Sequence, residues 1–235
     1  QNKISEVKIH FPKKTVRLKF SKTFLVMNHA ELDNYIAELA GKSGAKILLQ
    51  KPIDSLPEGF DIIIGCDGVN STVRKNLNMP QLPARLGILG FGSKSDTSDY
   101  VETWPVEKGF IWRIPRGKET EYGIITKPGS ARQSLEEFLR KNNLQIGRLK
   151  SALIPQGLSV PANSTVTLCG DAAGLTKPWS GGGVVWGLIG ADILLKNFPD
   201  FIKYQKGLKR FFWRRILLAK IITKLAYFLG FNFPW

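Results

Sequence analysis

Apolar and polar positions in this chain follow two different periods, and the switches between them mark out its elements. From residue 1 to 27 the apolar residues fall in short extended runs, Glu6–Phe11, Thr15–Phe20 and Thr23–Val26. The middle run alternates strictly, which predicts an antiparallel sheet with one wet face. Asn28 then reads as the N-cap of a helix over Glu31–Gly41, with Leu32, Tyr35, Ile36 and Leu39 on one stripe. Ala45–Leu49 and Asp61–Ile64 predict short strands, the second continuously apolar, as for a strand covered on both faces. Between Leu86 and Ile125, aromatic and β-branched runs separated by turn signals predict antiparallel strands at Gly87–Phe91, Tyr100–Trp104, Gly109–Ile114 and Glu121–Ile125. A helix over Ser134–Leu144 follows, then extended chain through Leu153–Pro155 and Val166–Cys169. Helices over Gly183–Leu195 and between Tyr204 and Leu229 complete the pattern. The predicted class is α/β (α+β): a partial parallel-sheet layer, an antiparallel-sheet subdomain and C-terminal helices. The segments run 1–85, 86–150, 151–200 and 201–235.

At 235 residues and 43 % apolar content the chain is too hydrophobic to be disordered. Its 34 Lys and Arg against 19 Asp and Glu give a net charge of +15, a field that favours a phosphorylated cofactor, an acidic lipid surface or nucleic acid. Nucleic acid loses on pattern, since no recognition helix, zinc finger or RNA-binding signature accompanies the charge. Cys66 and Cys169 cannot build a disulfide framework and read as small buried thiols of a reducing compartment. No secretory leader opens the chain and no apolar run reaches the 18 residues of a spanning helix, so a cytoplasmic location is expected. His10 and His29 stand apart without Cys-x-x-Cys, so no metal is expected. Hydrolase chemistry finds no Gly-x-Ser-x-Gly, and Asp54 and Glu58 read as loop charges.

The chemistry concentrates in two stretches. Leu168-Cys-Gly-Asp-Ala-Ala-Gly-Leu-Thr-Lys-Pro-Trp-Ser-Gly-Gly-Gly183 joins a strand to a helix through an acid and three glycines. Glycines let a ligand approach the backbone, and free N–H groups at a helix start face it, so the stretch suits a phosphate- or ribityl-bearing cofactor. Asp171 on local grounds either caps the helix or contacts that ligand. Upstream, Asp61-Ile-Ile-Ile-Gly-Cys-Asp-Gly-Val-Asn-Ser-Thr-Val-Arg74 carries a second acid–glycine pair, Asp67-Gly68. There Asn70 or Ser71 can cap a helix, and Arg74 either pairs with a phosphate or solvates a helix end.

These two stretches resemble the flavin-contacting motifs of the FAD-dependent hydroxylase-like flavoproteins, and within them the geranylgeranyl reductase family, which saturates double bonds of isoprenoid chains. The resemblance implies FAD as cofactor. It places Asp67, Gly68, Arg74, Asp171, Pro178, Gly181, Gly182 and Gly183 at the flavin. It also matches Phe110, Trp112 and Pro115 in Gly109-Phe-Ile-Trp-Arg-Ile-Pro115 to a strand lining the family's lipid-chain cavity, with Ile114 in place of a second aromatic. Phe110, Trp112 and Ile114 share one strand face, which suits either an apolar slot or an ordinary sheet core; Tyr100 and Trp104 extend either surface. By this resemblance residues 1–85 and 151–200 belong to the flavin region and 86–150 to the substrate subdomain. His29 stands where the family carries an arginine, and the family's candidate proton-donor cysteine has no counterpart in Cys66 or Cys169. No proton donor is assigned, and the electron donor is unassigned too.

The family's G-x-G-x-x-G turn, with its ribose-binding acid some twenty residues on, has no match in this sequence. The expectation is a C-terminal portion of a reductase that works with a flavin-binding segment supplied in cis or in trans. The alternative is a non-catalytic remnant that binds isoprenoid lipid or a membrane surface. In the basic tail, Lys206 to Trp235, a helical wheel puts Lys209, Arg210, Arg214, Lys220 and Lys224 within about 140° of arc, with Phe212, Ile216, Leu225 and Leu229 outside it. That stripe serves either peripheral contact with an anionic membrane or packing against the flavin domain.

Overall fold

The computed structural model describes residues 2–233; Gln1, Pro234 and Trp235, the ends of the first and last predicted segments, lie outside the described residues. Strands β1 (Lys3–Phe11) and β2 (Lys14–Leu25) form a hairpin. Helix α1 (His29–Lys42) follows, with the Asn28 side chain accepting from the Ala30 N–H at 3.0 Å, as the cap pattern predicts. Ala45–Leu49 is not a strand: the run is irregular and exposed, because no neighbouring strand offers it a ladder.

The next elements are β3 (Ile63–Gly65), the short α2 (Thr72–Asn76), β4 (Ala84–Gly92), β5 (Tyr100–Val106), β6 (Gly109–Pro115), β7 (Thr120–Thr126), α3 (Pro128–Lys141), β8 (Lys150–Pro155) and β9 (Val166–Leu168). A 3-10 turn over Gly170–Ala173 leads to α4 (Val184–Asn197) and the long α5 (Phe201–Asn232). Seven strands build one sheet in the order β2-β1-β5-β6-β7-β4-β8, antiparallel except where β1 runs parallel to β5. The N-terminal hairpin is therefore part of the same sheet as the strands of residues 84–126. β3 and β9 form a separate parallel pair, Ile63 opposite Val166 and Gly65 opposite Leu168.

The large sheet has two different faces. On one, Ile88, Ile111 and Ile124 pack under Ala131 and Leu135 of α3. The other faces a cavity and the second half of α5. A separate core joins the β3–β9 pair to α4 and α5, with Leu168, Leu175, Trp186 and Leu194 packed against Tyr204, Leu208 and Phe212. Phe201, Tyr204, Leu208, Phe212 and Ile216 recur at three- and four-residue spacing, so the first half of α5 buries one continuous stripe. Its start is capped by Asp200, whose carboxylate accepts from the Lys203 N–H at 2.9 Å.

Candidate functional site

The β3–β9 register sets both acidic turns side by side, since each follows the C-terminal end of one strand of the pair. The upstream turn points its side chains into protein. Asp67 Oδ2 accepts from the Val73 N–H at 3.1 Å and Ser71 Oγ from the Arg74 N–H at 3.0 Å, so both cap α2. Arg74 is neither a helix-end solvating charge nor turned toward a ligand. At 1 % exposure, its guanidinium donates to the carbonyls of Pro80, Ser159 and Ala172, the last two at 2.8 and 2.7 Å. It ties α2 to the Asp171 turn, and burial holds its pKa below the ordinary arginine value. Gly68 has φ +77°, and a Cβ there would meet nothing within 4 Å, so its backbone faces open space.

The downstream turn is arranged the other way. Asp171 is half-buried, burial pushes its carboxyl pKa up, and among the described residues none donates a hydrogen bond to it. A Cβ on Gly183 would stand 2.7 Å from Asp171 Oδ1, so the glycine brings the α4 N-terminus against the carboxylate. No side chain caps α4, and Val184 and Val185 in its first turn are exposed. The structure thus brings Asp171 together with Gly183, an acceptor beside uncapped N–H donors, whereas Gly181 packs against Ile125 and Ile154 and the Gly182 N–H donates to Ser180 Oγ at 3.3 Å.

Cys66 and Cys169 also meet here, one residue past Gly65 and Leu168 on the paired strands. Cys169 is buried, but Cys66 is exposed, contrary to the expectation for both: the chain leaves β3 there with no further strand to cover it. The hydrogen bond between the two thiols pushes Cys66 up and draws Cys169 down to about 6.

Beside this turn lies a cavity of about 690 Å³, walled by Val7, Ile9, Phe11, Phe110 and Ile114 on the sheet and by Ala226 and Tyr227 of α5. Trp179 and Ser180, between Pro178 and Gly181, close one end of it, and Met27, His29 and Arg116 join it to a more polar cavity of about 620 Å³. Trp112 shares the face of Phe110 but donates its indole N–H to buried Glu121 at 2.8 Å, and Arg116 pairs with the same carboxylate. Pro115 is buried on the opposite face. Tyr100 and Trp104 lie on the α3 side of β5: Lys8 Nζ sits 3.2 Å from the Tyr100 ring centre, and Trp104 packs on His10 and Phe138. The lining residues that sequence reasoning missed, Val7, Ile9 and Phe11, follow strict period two along β1. That pattern was available, and only the pairing with β5 reveals what it faces.

No family model matches the chain. An uncharacterised protein of Methanosarcina barkeri is 25 % identical over 246 residues, covering 89 % of this chain and 62 % of its own. The digeranylgeranylglycerophospholipid reductase of Methanococcus vannielii is 26 % identical over 232 residues, 80 % of this chain and 59 % of that protein. The chain is similar to the geranylgeranyl reductase family. It spans 55–62 % of the length of the curated relatives it matches. Among solved structures, a geranylgeranyl bacteriochlorophyll reductase-like protein of Thermoplasma acidophilum superposes with a TM-score of 0.75 at 19 % identity, over 95 % of this chain and 71 % of that one. The flavin-dependent brominase Bmp2, as a triple mutant, gives 0.68 at 14 %, over 97 % and 77 %. These likenesses show that the geranylgeranyl reductase-like chains and the flavin enzymes share the fold described above.

Proposed function

We propose that this chain supplies one wall of the flavin site and the chain-binding cavity of an FAD-dependent reductase that saturates isoprenoid C=C bonds in a membrane lipid or a related precursor. The observation that carries the reading is the loop from Pro178 to Gly183. Its Gly183 stands against the Asp171 carboxylate, while its Trp179 and Ser180 line the apolar cavity. A cofactor on the turn and a hydrocarbon in the cavity would therefore adjoin.

The residues present fit the cofactor. Asp171 offers an unpartnered carboxylate to ribityl or ribose hydroxyls, and the uncapped α4 N-terminus offers N–H donors to ring oxygens. Bound in its reduced form, FAD supplies the hydride for an alkene carbon. This chain's part is to hold the hydrocarbon among Phe110, Ile114 and Ala226 and to keep water from it. The pyrophosphate would be held by a further segment, in cis or in trans, covering the open edges of β3 and β9 and the apolar stripe of α1. Tyr35, Ile36 and Leu39 of that stripe are all exposed.

The test has two stages. Titration with FAD, followed by flavin fluorescence, is expected to show weak binding by this chain alone and tight binding once a glycine-rich flavin-binding segment is supplied. The reconstituted protein, given reduced FAD and a geranylgeranyl lipid, is expected to add two hydrogen atoms per double bond by mass spectrometry. Tight FAD binding by the chain alone would remove the need for a second segment. A lipid that binds but never changes mass would favour a non-catalytic lipid-binding role, to which the histidine at position 29 also points.

A further inference from the structure

The apolar cavity has an open flank. β2 is one of the two edge strands of the sheet, and its cavity-facing Leu18, Phe20 and Phe24 remain 48 %, 39 % and 55 % exposed. Across from it, Thr223, Ala226 and Tyr227 of α5 face the cavity. The helix is held in place there by the Tyr227 hydroxyl, which donates to the Gly109 carbonyl at 2.6 Å. Gly230 adds a second anchor, because any Cβ at that position would collide with the Phe11 ring.

Beyond Ile216, α5 carries a second apolar stripe that the fold leaves uncovered. Leu217, Ile221, Leu225 and Phe228 follow one another at three- and four-residue spacing and are all more than half exposed. A helix packed against a protein core needs one such stripe, and α5 has two. Charge identifies what fits the second. α5 holds eight Lys and Arg and no Asp or Glu, and β2 holds four Lys and Arg and no acid. Two copies of this chain meeting through these elements would bring like charges together, within a molecule already at +15. An anionic bilayer accepts both features: apolar side chains enter the acyl boundary, and Lys220 and Lys224 snorkel to the headgroups. No helix among the described residues is long and apolar enough to cross a membrane, so the contact is peripheral.

We propose that β2 and the outer stripe of α5 together form a docking surface for an anionic membrane, and that an isoprenoid chain passes between them, sideways, from the bilayer into the cavity. The passage rests on the function proposed above; the docking surface stands on exposure and charge alone.

The test uses the intact chain with phosphatidylglycerol vesicles and with phosphatidylcholine vesicles. Expected are co-sedimentation with the anionic vesicles that weakens with salt and a blue shift of tryptophan emission, since Trp213 on α5 is 66 % exposed. The double variant Ile221→Glu/Leu225→Glu, altered only outside the cavity lining, is expected to bind at least tenfold more weakly; Leu225→Ser serves if the double variant misfolds by circular dichroism. Equal binding by parent and folded variant overturns the docking surface. So does a parent dimer in sedimentation velocity that the variant abolishes, with no vesicle binding by either. Binding of a detergent-dispersed isoprenoid is measured alongside. Retention in the variant, with transfer from vesicles lost, supports the lateral passage. Absence of binding in both forms refutes the passage and the cavity assignment under the proposed function, leaving vesicle binding to judge the docking surface by itself.

Discussion

Replacing Arg74 by methionine separates a residue that holds the fold from one that holds a ligand. Its guanidinium donates to three backbone carbonyls, of Pro80 at 3.1 Å, Ser159 at 2.8 Å and Ala172 at 2.7 Å. A hydrogen bond from a charged donor contributes about 1.5–3 kcal/mol, so three give about 5–9 kcal/mol gross. Against this, the methionine no longer has to bring a cation out of water, a penalty of several kcal/mol. The net loss should be about 3–5 kcal/mol, the range seen when one partner of a buried charged contact is removed. Total stability is about 5–15 kcal/mol, so the variant would be marginal. For a chain of this size each kcal/mol moves Tm by about 2–4 °C, giving a fall of about 6–20 °C. Arg74→Lys should recover little, because an ammonium cannot reproduce the planar fork that reaches α2's own C-terminal loop and the Asp171 turn together. Urea unfolding and thermal melts of the three proteins provide the measurement. A loss below about 1 kcal/mol with FAD affinity sharply reduced would refute this reasoning and make Arg74 a phosphate ligand.

Other consequences can be checked separately. Because burial raises the Asp171 carboxyl pKa, the folded chain takes up that proton at higher pH than the unfolded one, so the group's contribution to stability is largest in acid and is lost as pH rises from about 3.9 through the raised value. Asp171→Asn should therefore flatten the Tm–pH curve in that window and be no less stable at neutral pH, while weakening FAD binding; a lower Tm at neutral pH would count against it. Ile114→Trp should fill part of the cavity and weaken binding of a fluorescent polyene at least tenfold, about 1.4 kcal/mol. Trp104→Phe, on the α3 face, should leave polyene binding unchanged. Alkylation of Cys66 should keep accelerating above the usual thiol range of about 8.5, and Cys169→Ser, which removes the first cause of the shift, should bring its midpoint down; mass-resolved iodoacetamide kinetics across pH would show an unmoved midpoint if the pairing is absent.

Elements whose signal is local were readable from the chain. Asn28 announced α1, the apolar spacing announced α4 and α5, and the punctuated runs announced β4 through β7. What depends on a distant partner was not. Ala45–Leu49 has strand composition and no strand beside it. The parallel pairing of β1 with β5 leaves no trace in either sequence, yet it turns Val7, Ile9 and Phe11 toward the cavity. The placement of Tyr100 and Trp104 was within reach. A two-residue turn, Glu107-Lys108, sets Val106 opposite Gly109 and hence Thr103 opposite Trp112. Paired residues share a face, so Thr103 sides with Phe110 while Tyr100 and Trp104 go to the other.

The two acidic motifs look alike in sequence and behave differently in the fold, and hydrogen-bond accounting explains why. In the upstream motif the polar side chains are largely taken up by the backbone: Asp67 and Ser71 cap α2, and Arg74 binds three carbonyls. A ligand there meets the main chain, and Gly68, with its positive φ and open surroundings, is where it can approach. In the downstream motif the Asp171 carboxylate and the first N–H groups of α4 are left without side-chain partners, half-buried and adjacent. Leaving them so is unfavourable unless water or a ligand satisfies them. The difference assigns the work: α2 and Arg74 fix the position of the Asp171 turn, and that turn makes the polar contacts. Substitutions in the upstream motif should therefore read out first in stability, and those at Asp171 and Gly183 first in binding.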